Sequence, residues 1–381
     1  MKLHNLSYKT LFTIFFLGIA GIILLTKFTK PKSAEAWWNA SWNYRDSLYV
    51  NNFSSARTNV LVKILENYDF TTLISQGKVQ ADLDDLRFTT SGDTLLTYWV
   101  QDATTSSADV WAVIPSLPVG TTFIWMYYGN SSVGSGSTSL YSYSGSSQFI
   151  DLGNGSFKIK FLTNGTFTPA IGLTIDVFLV GGGGASGVHG GAGAGGYTQT
   201  YKGISISGST GYLVTVGIGG SGDTLGTYTA DSGDNSSAFG YSATGGGGSL
   251  HKNGGNGGSG GGAKYLGNGG SDGSNGQNGQ DDSYGGTGQG TTTREFGETT
   301  GDLYSGGGGG QIYEGQISYG GAGGGGNSAC DGVANTGGGA GSNSRNGGSG
   351  IVILRYNPYL LGYPAGNFNF EGLNMEGINI N

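Results

Sequence analysis

Between Trp37 and Asn130 the chain breaks into short runs of β-branched and aromatic residues separated by turn formers. The runs cover residues 47–50, 60–65, 86–89, 95–100, 109–114 and 122–128, with turns such as Ser91-Gly92-Asp93 and Pro118-Val119-Gly120 between them. Runs this short and this regular predict the strands of a β-sandwich. In the last run Phe123, Trp125 and Tyr127 alternate with Ile124, Met126 and Tyr128, so both faces are apolar or aromatic and the strand is expected to be central. Trp111 and Trp125 lie in such runs and are expected to anchor the core. Residues 131–156 lose the pattern and turn to Ser, Gly and Tyr, as in Gly134-Ser135-Gly136-Ser137, which reads as a flexible linker. Hydrophobic strands return at 174–180, 212–216 and 351–356. The tail, 357–381, alternates again in Asn367-Phe368-Asn369-Phe370 and Ile378-Asn379-Ile380-Asn381, which suggests an edge strand.

The returning strands frame a region that holds about 63 of the 80 glycines, between Gly181 and Gly350. Composition alone would suggest disorder, because glycine loses more backbone entropy on ordering than any other residue. Two features favour order. Hydrophobic strands enter and leave the region, and glycine recurs every third residue, at Gly254, Gly257 and Gly260, at Gly255, Gly258 and Gly261, and at Gly267, Gly270, Gly273, Gly276 and Gly279. A polyproline-II helix has three residues per turn, so these glycines form a row on one face. Without Cβ atoms, neighbouring helices can approach until their backbones hydrogen-bond to each other, as a single polyproline-II helix cannot do internally. Collagen is excluded by the interrupted repeat and by only 6 Pro in the chain.

Length permits two or three domains. Hydrophobic residues are 36% and charged ones 11%, while 22 Tyr and 17 Phe supply aromatic surface for ordered structure. The first 36 residues look like an export segment: Lys2 and Lys9, an apolar run at 11–25, then Ala34-Glu35-Ala36. About fifteen apolar residues make a helix of roughly 22 Å, short of the roughly 30 Å hydrocarbon core. Cleavage after Ala36 is expected. The positive charges Lys27, Lys30 and Lys32 favour the alternative, a retained short anchor reaching the membrane only through 11–25. Five of the 18 basic residues and one of the 25 acidic ones lie in this segment, so the remainder carries about −11, which excludes a phosphate-backbone partner. The single Cys330 excludes an internal disulfide.

Candidate chemistry is sparse. Beyond His4 the histidines are His189 and His251, each inside a glycine cluster, and they read as loop residues. Asp82, Asp84, Asp85, Asp281, Asp282, Glu295 and Glu298 show no spacing that marks an acid–base pair, and no catalytic residue is expected. Asp82-Leu83-Asp84-Asp85 and Gly279-Gln280-Asp281-Asp282 concentrate oxygen ligands of the kind that structural calcium takes. Both read as solvated acidic turns, and Gly219-Gly220-Ser221-Gly222-Asp223 puts its acid one position early for the nonapeptide calcium repeat. No cofactor or metal is expected. Tyr265, Tyr284, Phe296, Tyr304, Tyr313 and Tyr319 sit between glycine clusters. They either contact a ligand, as tyrosines of binding loops do, or cap the ends of the glycine helices.

Trp42-Asn43-Tyr44-Arg45, Asp85-Leu86-Arg87-Phe88, Tyr98-Trp99, Val110-Trp111, Pro115 with Leu117-Pro118, and Tyr127-Tyr128-Gly129-Asn130 together resemble the bacterial domain of unknown function 2341. Asp46, where that family often has a second basic residue, and Val100-Gln101, where an acid is common, are departures. Ile175-Asp176-Val177-Phe178-Leu179-Val180 with Gly181–Gly184, Gly195-Gly196-Tyr197-Thr198, Val214-Thr215-Val216-Gly217 and Gly347-Gly348-Ser349-Gly350-Ile351-Val352-Ile353-Leu354-Arg355-Tyr356 resemble the glycine-rich domain of bacterial surface proteins, and are similar to the glycine-rich tips of some phage adhesins and a region of certain receptor kinases. The resemblances imply a surface location and packed polyproline-II helices whose end loops meet a receptor. The expected fold is mainly β. A jelly-roll-like sandwich (37–130) follows the export segment (1–36), and a linker (131–156) leads to a glycine-rich domain of strands and polyproline-II helices (157–356) and a tail (357–381). The expected function is non-enzymatic adhesion at the cell surface, to a cell-surface or matrix glycan or protein. The alternative is a subunit of an envelope layer or filament that binds copies of itself.

Overall fold

The computed structural model describes residues 37–358, except 53–54, 102, 104–105, 154, 189, 224–225, 227, 265–266, 272–292 and 312–317. The export segment, the tail beyond Pro358, Asp281, Asp282 and the glycine repeat past Ser271 therefore lie outside the described residues.

All six expected strands of the first half form: β1 (Tyr44–Asn52), β2 (Arg57–Asp69), β3 (Arg87–Thr90), β4 (Tyr98–Gln101), β5 (Ser107–Leu117) and β6 (Gly120–Tyr128). A short helix, α1 (Thr71–Ser75), follows β2 and buries Leu73. The strands pair antiparallel in the orders β1-β6-β3 and β2-β5-β4, a jelly-roll-like arrangement with β6 central as its two-sided pattern requires. Ile124, Met126, Tyr128, Val50 and Phe88 of one sheet pack on Val60, Val62, Ile64, Val110, Ala112 and Ile114 of the other. Trp125 is not among them. It is only partly buried, with the Arg45 guanidinium 4.2 Å from its ring centroid, so the expected core anchor is a stacking platform on the outer face. Asp85, read as part of a solvated turn, is buried. Its carboxylate accepts from the backbone N–H of Gln80, Gly129 and Asn130, and its carbonyl accepts from Trp42 Nε1. Three of the short sequence words, at Trp42, at Asp85 and at Gly129-Asn130, thus meet at one end of the sandwich, where they satisfy buried backbone groups.

The segment expected to be a flexible linker is ordered. Thr138 N donates to Tyr98 O, and Ser137 Oγ accepts from Val100 N, so this stretch lies along β4. Gly136 lies so close to Arg87 and Tyr98 that a Cβ there would collide with both. Next come β7 (Tyr141–Tyr143) and β8 (Ser147–Gly153), which pair with strands of the second half. Small polar residues are required by close approach here, although their composition reads as flexibility.

The second half continues with β9 (Ser156–Phe161), β10 (Gly165–Pro169), β11 (Leu173–Val180), β12 (Thr198–Ile206), β13 (Tyr212–Thr215), β14 (Ser236–Ala238), β15 (Tyr241–Ala243) and β16 (Ile351–Tyr356). Two five-stranded sheets result, β12-β11-β16-β9-β8 and β15-β14-β13-β10-β7. Phe157, Ile159, Phe161, Ile175, Val177, Val352 and Leu354 of the first meet Phe167, Val214, Ala238 and Ala243 of the second. The same cluster takes in Leu61 and Trp111 from the first sandwich, so the two halves share a core. Trp111 lies edge-on to Phe157 at 5.6 Å, Trp99 edge-on to Phe149 at 5.2 Å, and Tyr356 Oη donates to Leu61 O at 3.1 Å.

Strands and glycine runs alternate. β11, β13 and β15 run out into glycine segments; β12, β14 and β16 return from them. Residues 181–187 form the middle of the assembly. Their N–H groups donate in turn to three antiparallel neighbours: Gly181 and Gly184 to Tyr197 and Ala194, Gly182 and Ala185 to Asp234 and Asp231, Gly183 and Ser186 to Gly348 and Arg345. Their carbonyls accept from three others: Gly182 and Ala185 from Gly246 and Ser249, Gly183 and Ser186 from Gly220 and Asp223, Gly184 from Ala340. The partner recurs every third residue. Side chains have no place between such backbones: a Cβ on Gly182 would overlap Ile218 O, and one on Gly184 would overlap Gly247 O.

Candidate functional site

Because 181–187 leaves the sheet at Val180, the residues bonded to its last positions mark the far end of the glycine bundle. Asp223, Ser249, Ser344 and Arg345 are there, and the turn at 250–253 and Tyr228 adjoin them. His251 N donates to Tyr228 O at 2.7 Å, and the two rings stack 5.7 Å apart at 11°. Tyr228 N donates to Asp223 Oδ2 at 2.9 Å, and Ser344 Oγ to Asp223 O at 2.6 Å, so the buried Asp223 ties Tyr228 to Ser344. Tyr228, His251, Asn343 and Ser344 all have φ between +53° and +71°. Each left-handed non-glycine residue costs on the order of 1 kcal/mol and persists only where its surroundings over-determine it.

Among the described residues, this end exposes apolar and cationic side chains beside polar ones. Leu250 is 53% exposed and Tyr228 45%. Lys252 and Lys264 come together through Lys264 N donating to Lys252 O, and partial burial, then the Lys252 charge, lowers the pKa of the Lys264 ammonium. The stacked, rigid ring pair beside positive charge can hold a flat or anionic group against its face.

Of the six aromatics singled out in the sequence, Tyr265, Tyr284 and Tyr313 lie outside the described residues. Tyr319 is exposed. Phe296 and Tyr304 are buried and are not presented at all: they pack with Phe178, Val180, Ile351 and Ile353 on the second face of the central sheet. Ion pairs draw their segment down. Lys158 meets Glu295 at 2.8 Å, Lys160 meets Asp302 at 3.3 Å, and Arg355 meets Glu298 at 2.7 Å while lying over the Phe296 ring. Burial, then Glu295 and Asp302, pushes the Tyr304 hydroxyl far above its ordinary pKa. His189 lies outside the described residues; His251, read as a plain loop residue, is half of the ring stack. Among the described residues, no His, Cys, Asp or Glu cluster could hold a metal, and no helix is long and apolar enough to cross a membrane.

One buried cluster had no counterpart in the sequence reading. Lys63, on β2, is 1% exposed and touches Asp151 of β8, Asp109 of β5 and Glu66. Burial by itself would lower the pKa of its amine; Asp151 and Asp109 outweigh burial and hold it above its ordinary value. Its signal is a lysine interrupting the apolar run 60–65.

A search of curated proteins finds no match to the chain. The family described as a glycine-rich domain matches residues 162–357, about half of the chain, and the chain belongs to it. Ahead of it, the domain of unknown function 2341 matches residues 82–151. The second match ends within β8, a strand of the sheet that the glycine-rich domain completes.

Proposed function

We propose that this chain is an exported, non-enzymatic surface protein whose glycine bundle holds the loops at its far end against a cell-surface or matrix glycan or protein. The observation that carries the reading is the three-residue recurrence of hydrogen-bond partners along 181–187. It is the recurrence expected of packed polyproline-II helices, which stand about 3.1 Å per residue and hold a loop away from the body of the protein. Export rests on the charged and apolar pattern of residues 1–36. Contact at the far end rests on Tyr228 and Leu250, exposed in and next to the turn that carries His251 and Lys252, with Lys264 bonded to Lys252, which suits glycans carrying carboxylates. Tyr319 is a further exposed aromatic of the glycine region.

The test is binding of residues 37–381 to a glycan array rich in uronates and to whole cells, with a Tyr228→Ala, Tyr319→Ala double variant alongside. Loss of an aromatic contact of this kind costs about 2 kcal/mol, roughly 30-fold in affinity. Undiminished binding by a folded double variant overturns the loop assignment. Light scattering that finds only self-association favours the envelope or filament subunit instead.

A further inference from the structure

The cluster at Lys63 supports an inference that does not depend on what the far-end loops bind. Lys63 stands opposite Trp111 in the β2–β5 register, with Nζ 5.2 Å from the Trp111 ring centroid. Phe157 packs edge-on to that ring at 5.6 Å and stacks on Phe149 at 5.1 Å, two residues before Asp151. Within this aromatic setting Lys63 Nζ is in direct contact with Asp151 Oδ2 and lies 3.2 Å from Asp109 Oδ2. The other oxygen of Asp151 accepts Gly153 N–H at 2.8 Å, and Asp109 Oδ1 accepts from Asn67 N. Amine, carboxyl carbon, proton carrier and a donor aimed at the carbonyl oxygen are therefore gathered in one place.

We propose that Lys63 and Asp151 are joined by an isopeptide bond, which the folded chain forms on itself with Asp109 as proton carrier. Asp151 and Asp109 favour the charged amine, so the neutral pair is a minor state. It is reached because passing a proton from ammonium to carboxylate removes the desolvation penalty of both charges, and amide formation then draws it off. The proton stays within the cluster. With one proton moved from Nζ to Asp151 Oδ2, the neutral amine adds to Cγ, and the electron pair of the carbonyl moves onto Oδ1, where Gly153 N–H stabilises it. Asp109 takes a second proton from Nζ and delivers it to the Oδ2 hydroxyl, which leaves as water as the carbonyl re-forms. The Nζ–Cγ amide is made, the Cγ–Oδ2 bond is broken, Asp109 is restored, and no oxidant or reductant takes part. Asp151 is partly exposed, which gives the water an exit. The bond ties the first sandwich to the second across 88 residues.

The test is peptide mass spectrometry of the full chain after denaturation and trypsin. Trypsin cannot cut after an acylated lysine, so the proposal predicts residues 58–78 uncut at Lys63 and joined to residues 88–158, lighter by one water than the two peptides together. Asp151→Ala should give the separate peptides, and Asp109→Ala should leave most molecules unjoined. Wild-type chain cut normally at Lys63, with no branched peptide, overturns the proposal outright. Full joining in Asp109→Ala overturns the part assigned to Asp109.

Discussion

Asp46 sets a carboxylate among aromatic rings, where Tyr128 Oη donates to it at 2.8 Å. Burial raises its pKa above the ordinary 3.8, against the Tyr128 hydrogen bond and the Lys78 charge, which both lower it. The folded chain thus holds this proton more tightly than the unfolded chain. The stability it contributes is complete below the unfolded value and is lost as pH rises through the folded one. Asn can accept the same hydrogen bond without a charge. Asp46→Asn should therefore unfold at higher urea than wild type at neutral pH, with the gap closing in acid; an equal gap at both pH values would contradict the assignment. Trp111 and Trp125 make a second comparison. Trp111 is fully buried and donates from Nε1 to Gln101 Oε1 at 2.8 Å, whereas Trp125 is partly exposed under Arg45. Trp111→Ala should cost about 3–5 kcal/mol by urea denaturation and Trp125→Ala about 1 kcal/mol. Equal losses would show that the outer face of β6 is covered as well.

At the scale of elements, the glycine runs respond to substitution by position. A side chain at Gly339 would overlap Gly193 O, and one at Gly323, with φ +92°, would meet Tyr304 and an unfavourable backbone conformation. Ser271 is exposed. Gly339→Val and Gly323→Val should open residues 157–356 to protease, while Ser271→Val should leave resistance unchanged. Resistance that survives in all three would mean that the runs are not packed. The six strands of the first sandwich were legible because alternation and turn residues act locally, and the glycine period was legible because it sets which neighbour each N–H meets. Other features depend on partners far along the chain. β7 and β8 are Ser- and Tyr-rich, and it is pairing with β10 and β9 that makes them strands. Phe296 and Tyr304 were read as loop aromatics, because ion pairs between residues 137 and 142 positions apart, which bury them, leave no trace in local sequence. Tyr319, expected from the sequence to lie among the glycine loops, is exposed. Tyr228 and His251 come together only through the turn at 250–253.

On the scale of the whole molecule, the first sandwich, the second sandwich and the glycine bundle follow one another, with Leu61, Trp111, Phe157 and Tyr356 in one core between the first two. Three strands lead out of the second sandwich and three lead back, and the glycine segments between them hydrogen-bond to one another and, where a run doubles back, to antiparallel stretches of the same run. The far-end loops are held in place only by that bundle. The most direct measurement is amide hydrogen exchange at 181–187, whose N–H groups have partners only on neighbouring segments. The account predicts protection comparable to that of β11 and β16, because the same cooperative opening would be needed to break either set of bonds. Exchange at 181–187 as fast as in an unstructured chain, with β11 and β16 still protected, would contradict it.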